Sequence, residues 1–201
     1  MSAIVSGPGL DPAPNAIRLK VAIGYSHFMS TASEMPEVWL RGRIEGFDPM
    51  VMPIVHTLFQ VREDIERLVV DVPQEHVWIR PGRAAAIGFH IRHTGGALDR
   101  LFTYARGEAL SAAQMTALRR EGDPGDPPAT LRAIVVEVIR LIDGALDDLR
   151  ATSTERLLLE RRVGRAGLPS NVLGLMFHAA EHSTRHVGQA ITTARMLDGR
   201  S

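Results

Sequence analysis

The sequence predicts an all-α protein: a four-helix bundle with a short extra helix and an irregular N-terminal tail. Three observations predict it. Four long stretches repeat apolar residues at three- and four-residue steps, the period of an amphipathic helix. Clusters of Gly, Pro, Asp and Ser separate those stretches. The chain has 201 residues, 45% hydrophobic and 23% charged, which suits one globular domain around one core.

Gly7-Pro8-Gly9 and Pro12-Ala13-Pro14 interrupt any helical period near the start. Residues 1–40 therefore read as a tail, irregular or disordered, and 41–201 as the bundle domain. The first helix is expected over about 49–70, on Val51, Ile54, Val55, Leu58, Val61, Ile65 and Leu68. Asp48 suits its cap, Pro49 its first position, and Val72-Pro73 its end. The second is expected over about 83–106, on Ile87, Ile91, Leu98, Leu101, Phe102 and Ala105, with Gly107 as the stop. Gly95 and Gly96 fall inside it, where each costs about 1 kcal/mol against Ala. Two such glycines point to close packing or to room kept beside a site.

Ser111–Arg120 reads as the short extra helix, and 121–128 (EGDPGDPP) as turn chemistry throughout. The third long helix is expected over about 129–149, on Leu131, Ile134, Val135, Val138, Ile139, Ile142, Leu146 and Leu149. An irregular stretch ending at Gly164 to Pro169 follows. The fourth runs from about Ser170, taken as its N-cap, to Leu197. One short and two long connections fit a four-helix bundle, and the long second link lets helices two and three run parallel.

Lys plus Arg and Asp plus Glu both number 23, so nothing global attracts nucleic acid or an anionic membrane. The absence of cysteine removes disulfides, thiolate ligands and a cysteine nucleophile. No run approaches the roughly 20 apolar residues of a membrane span, and the N-terminus lacks the pattern of a signal peptide. A cytoplasmic protein is expected.

Five of the eight histidines form two clusters: His90 and His93 on helix two, and His178, His182 and His186 on helix four. Imidazoles at i and i+4 point the same way, one turn apart, which suits two adjacent positions on one metal ion. At about 100° per residue, His186 lies near the centre of the apolar stripe of helix four and His182 at its flank, with His178 nearer solvent. That selects His182 and His186. On helix two, periodicity favours His90 over His93 as the third ligand without deciding between them. Three neutral imidazoles suit a divalent metal such as Zn, Ni or Fe and leave positions open for water or substrate.

The segment Gly88-Phe89-His90-Ile91-Arg92-His93-Thr94-Gly95-Gly96, followed by Leu98-Asp99-Arg100-Leu101, resembles the helix-two signature of the DinB/YfiT-like metal-binding superfamily. Ala180-Glu181-His182-Ser183-Thr184-Arg185-His186-Val187-Gly188-Gln189 resembles its helix-four signature. The resemblance covers about Ile44 to Leu197. It implies an up-down-down-up four-helix bundle, and it implies His93 rather than His90 as the helix-two ligand, beside His182 and His186, with His90 as the fallback. It also implies a homodimer and metal-dependent chemistry on a low-molecular-weight thiol, since characterised relatives include thiol-dependent S-transferases and a mycothiol-dependent maleylpyruvate isomerase.

The chemistry expected is attack of a metal-stabilised thiolate on a small electrophilic substrate, or activation of water for hydrolysis. Glu181 and Asp99 are the nearest carboxylates in sequence to orient a ligating imidazole, and Gln189 is a candidate to face the open metal position. Arg92 and Arg185 are candidates to attract an anionic substrate. The alternatives are a non-catalytic metal-binding or stress-response helical module, and a plain helical dimerisation domain.

Overall fold

A computed structural model describes residues 35–199. The expected tail, with His27, lies almost wholly outside the described residues. Five α-helices follow in order: α1 (Met52–Asp71), α2 (Ile87–Arg106), α3 (Ala112–Arg119), α4 (Leu131–Ala151) and α5 (Val172–Leu197). A two-stranded sheet, β1 (Glu160–Val163) and β2 (Leu168–Asn171), precedes α5.

The helix starts follow local capping chemistry. Asp48 accepts from the Met50 N–H at 2.8 Å and Pro49 opens a 3-10 turn that feeds α1. Ser111 and Gln114 form a reciprocal capping box on α3, and the Thr130 hydroxyl caps α4. Gly107, at φ +86°, ends α2 in the left-handed conformation that glycine adopts without steric cost.

Three expectations are corrected. Helix two begins at Ile87, not Arg83, because Pro81 and Gly82 belong to a turn and the Gly88 N–H bonds to the Val77 carbonyl at 2.8 Å. Asn171, not Ser170, caps α5, its Oδ1 accepting from the Gly174 N–H at 2.7 Å. The stretch expected to be irregular before α5 is an antiparallel hairpin pairing Glu160 with Asn171 and Val163 with Leu168. Its strands bury no full residue, so they carry no alternating apolar pattern to read.

The four long helices enclose one core. α1 packs on α4 and α5, and α2 packs on the same two helices, most extensively on α5. Leu58, Ile65, Ile91, Leu98, Phe102, Ile142 and Leu149 are fully buried there, each contributing about 1.5–3 kcal/mol by removal from water. Close approach is built into α2. A Cβ on Gly88 would lie 2.9 Å from the Trp78 ring, and one on Gly95 would lie 2.9 Å from Val138 of α4. Among the described residues, no helix is long and apolar enough to cross a membrane.

Candidate metal centre

The α2–α5 contact brings the two histidine clusters together. Nε2 of His93 lies 2.9 Å from Nε2 of His182. The His186 ring sits 4.4 Å from that of His93 and 4.6 Å from that of His182, centroid to centroid. One ring nitrogen from each of His93, His182 and His186 lies within 4.8 Å of the others. Phe89, one turn before His93, stacks on its ring at 5.4 Å and 17°.

His90 stands outside this group. It is 6% exposed, and its Nδ1 lies 3.0 Å from Nδ1 of His186. Both histidines of α2 therefore belong to the site, one in the triad and one behind it. Periodicity ranked His90 as the more buried, and it is; burial puts it past the meeting point of the other three. His178 lies beside His182, ring centroids 5.5 Å apart, half exposed.

The support for His93 comes from a residue that sequence reasoning did not single out. Glu121, in the connection between α3 and α4, is 4% exposed. Its Oε2 accepts from Nδ1–H of His93 at 2.6 Å, and its Oε1 accepts from Arg100 at 2.7 Å. Turn chemistry hides an acid of this kind. Its trace in the sequence is Gly96, where a Cβ would lie 2.5 Å from Glu121 Oε1 and 2.8 Å from the Arg100 guanidinium. The room expected beside a site is filled by that carboxylate.

The other nominated residues have different partners. Asp99 accepts from Gln114 at 2.8 Å and ties α3 to α2. Glu181 accepts from His178 at 2.7 Å and from Arg185 at 2.7 Å, on the outer face of α5. Gln189 is exposed and lines an open cleft of about 530 Å³ with His90, Arg185 and Gly188. Arg92 donates to the carbonyls of Arg120 and Asp123, and its guanidinium lies 4.8 Å from the Trp78 ring centroid.

Burial favours the neutral form of three of these imidazoles, His90, His182 and His186. Burial, and then the neighbouring His93, push the pKa of His90 and of His182 below the ordinary histidine value. The same causes, with His182, His90 and Arg185 added, bring His186 down to about 4. Neutral rings carry the lone pairs that a metal needs. With His93 donating through Nδ1, its Nε2 is the acceptor facing His182. Nδ1 of His182 is buried without a hydrogen-bond partner among the described residues, a state rare in native proteins. Metal–nitrogen bonds of about 2.0–2.1 Å permit nitrogens 2.9 Å apart on one ion, so the donor set fits a divalent metal.

Compared with known proteins, the chain matches the family model described as the DinB superfamily over residues 57–190. That span runs from the first turns of α1 into the last turns of α5 and contains all four buried or half-buried histidines of the site. No curated protein matches the chain.

Proposed function

Because the chain belongs to the DinB superfamily, we propose that it holds a divalent metal on His93, His182 and His186 and is a metal-dependent enzyme of the thiol S-transferase or hydrolase type. The observation that carries the metal reading is the convergence of three imidazoles from two helices, one nitrogen of each within 4.8 Å of the others. In this reading the long helices form the up-down-down-up bundle of the family. The packing of α2 against α4, which the long connection through α3 joins, supports it.

A divalent ion held there supplies Lewis acidity toward a thiol or a water molecule. The chain supplies the rest. Glu121 and His90 hold the outer nitrogens of His93 and His186, which turns their Nε2 atoms toward the shared centre. The Phe89 ring covers one face of His93 and keeps water from that side. His178 and Arg185 stand on the solvent side of His182, where an anionic thiol or an electrophile would arrive. A homodimer in the cytoplasm remains part of the reading.

A second reading, metal binding without catalysis, is favoured by one observation. Among the described residues, the carboxylates that touch the histidine cluster are already committed, Glu121 between His93 and Arg100 and Glu181 between His178 and Arg185. Neither is free to act as a base.

Elemental analysis of purified protein beside the His182→Ala/His186→Ala variant tests the metal reading. The expected result is about one Zn, Ni or Fe per chain, lost in the variant. Absence of metal after reconstitution of the wild type, or retention by the variant, overturns it. Thiol-transfer and ester-hydrolysis assays on the metal-loaded protein then separate the catalytic reading from the binding one.

A further inference from the structure

Arg92, Gly96 and Arg100 recur at four-residue steps, so they form one stripe along α2, directly beside His93. Every member of that stripe serves Glu121. Arg92 donates to the carbonyls of Arg120 and Asp123, which brackets Glu121 on both sides in the chain. Gly96 leaves the space that the carboxylate fills, and Arg100, itself 9% exposed, holds one of its oxygens. The other oxygen is left for His93.

A buried carboxylate paired with arginine is costly to desolvate and adds little stability by itself. Here the pair does something an apolar replacement cannot. It fixes the proton of His93 on Nδ1, which leaves Nε2 as the lone pair facing His182 Nε2 at 2.9 Å. It also sets the ring plane, because Glu121 and Phe89 fix the ring from its edge and its face. The partner on the second supported imidazole, His186, is by contrast another imidazole, His90, rather than a carboxylate.

Resting on the reading of the triad as a metal site, we propose that Glu121, delivered by the α3–α4 connection and braced by Arg100, is the positioning residue of that site. It acts through His93: an anionic acceptor on the outer nitrogen makes that imidazole a stronger and better aimed donor. The connection between α3 and α4 is then part of the metal centre, although it contributes no ligand.

The test is Zn²⁺ and Co²⁺ affinity by competition with a chromophoric chelator, on the full chain, for wild type, Glu121→Gln and Gly96→Ala. Glu121→Gln keeps the shape and removes the charge. Gly96→Ala keeps the carboxylate and pushes it from its seat, while alanine is the better helix former. Both variants are expected to bind about 10–100-fold more weakly, with an altered Co²⁺ absorption spectrum, whereas His182→Ala/His186→Ala loses binding altogether. Unchanged affinity in both Glu121→Gln and Gly96→Ala overturns the role of Glu121 and leaves the metal site standing. If Glu121→Gln fails to fold, Gly96→Ala decides alone. A wild type that takes no metal overturns the triad reading itself, and this inference with it, before any variant is compared.

Discussion

Nδ1 of His90 and Nδ1 of His186 lie 3.0 Å apart across the α2–α5 contact. Two imidazole nitrogens at that distance share one proton, so one ring donates and the other accepts. With Nδ1 of His186 engaged there, its Nε2 is the atom left for the triad. For Nε2 of His186 to carry the free lone pair, its Nδ1 must hold the proton, and Nδ1 of His90 is then the acceptor of that contact.

Replacing His90 with Leu removes that acceptor and leaves the His186 Nδ1–H without a partner. We expect metal affinity to fall about tenfold, at the low end for a lost outer-shell contact. The loss should be smaller than for His93→Ala, which removes a ligand. Chelator competition measures both. Equal losses would mean that His90 is itself a ligand, and an unchanged affinity would show that the His90–His186 contact does nothing for the site.

The lowered pKa values set a pH dependence with a definite sign. His186 titrates near 4 in the folded chain against about 6.5 when unfolded. Between those values the unfolded chain binds more protons, so the stability of the metal-free protein falls as pH falls from about 6.5 toward 4. His182 and His90 shift in the same direction and add to it. Melting of metal-free protein at pH 7.5 and pH 5 checks this. A lower Tm at pH 5 is expected, with a shallower decline in His186→Gln. A Tm that rises toward acid would contradict the sign.

The long helices and the His182/His186 pair are legible in the sequence because both rest on period. Leu58, Ile65, Ile91 and Leu98 fall on the expected stripes and are fully buried. His182 and His186 are one turn apart by count alone. Period leans to His90 on α2, the resemblance implies His93, and in the structure it is His93 that the crossing of α2 with α5 brings to His182. Glu121 was illegible for a different reason. It lies 28 residues beyond His93 in a segment whose Gly, Pro and Asp residues all read as turn. Its signature is the space at Gly96 rather than any property of its own neighbours. The hairpin before α5 was missed because it buries too little to show alternation.

Gly95 tests how tightly α2 meets α4. A Cβ there would lie 2.9 Å from a Val138 methyl, 3.1 Å from Leu141 and 3.4 Å from the Val138 backbone. Overpacking of this kind costs about 1–3 kcal/mol, against a gain of about 1 kcal/mol in helix propensity. Gly95→Ala is therefore expected to lower Tm modestly. Gly144 of α4 has nothing within 4 Å of an added Cβ, so Gly144→Ala should raise it. Thermal melting of the two variants under one condition compares them. A stabilised Gly95→Ala would mean that α4 yields easily at this contact.

Arg92 separates the docking of the α3–α4 connection from the chemistry of the triad. It touches none of the three triad rings by hydrogen bond; its guanidinium donates to two carbonyls of the connection and lies over Trp78. Trp78 in turn donates to the Ala129 carbonyl at 2.8 Å, at the far end of the same connection. Removing Arg92 leaves those two carbonyls without that donor and loosens both flanks of Glu121. Arg92→Ala is expected to make residues 121–128 more susceptible to limited proteolysis, because exposed, poorly anchored loops are the preferred sites of nicking. Arg92→Lys keeps the charge and a nitrogen that can donate twice but lacks the planar guanidinium that lies over Trp78, so it should rescue only in part. Bound Zn²⁺ should restore protection in wild type more than in Arg92→Ala, since the metal favours the state in which Glu121 is seated. Cleavage mapped by mass spectrometry, with and without Zn²⁺, reads all three comparisons. Equal cleavage of wild type and Arg92→Ala would show that Arg92 does not hold the connection in place. Cleavage of wild type indifferent to the metal would show that the connection and the triad are not coupled.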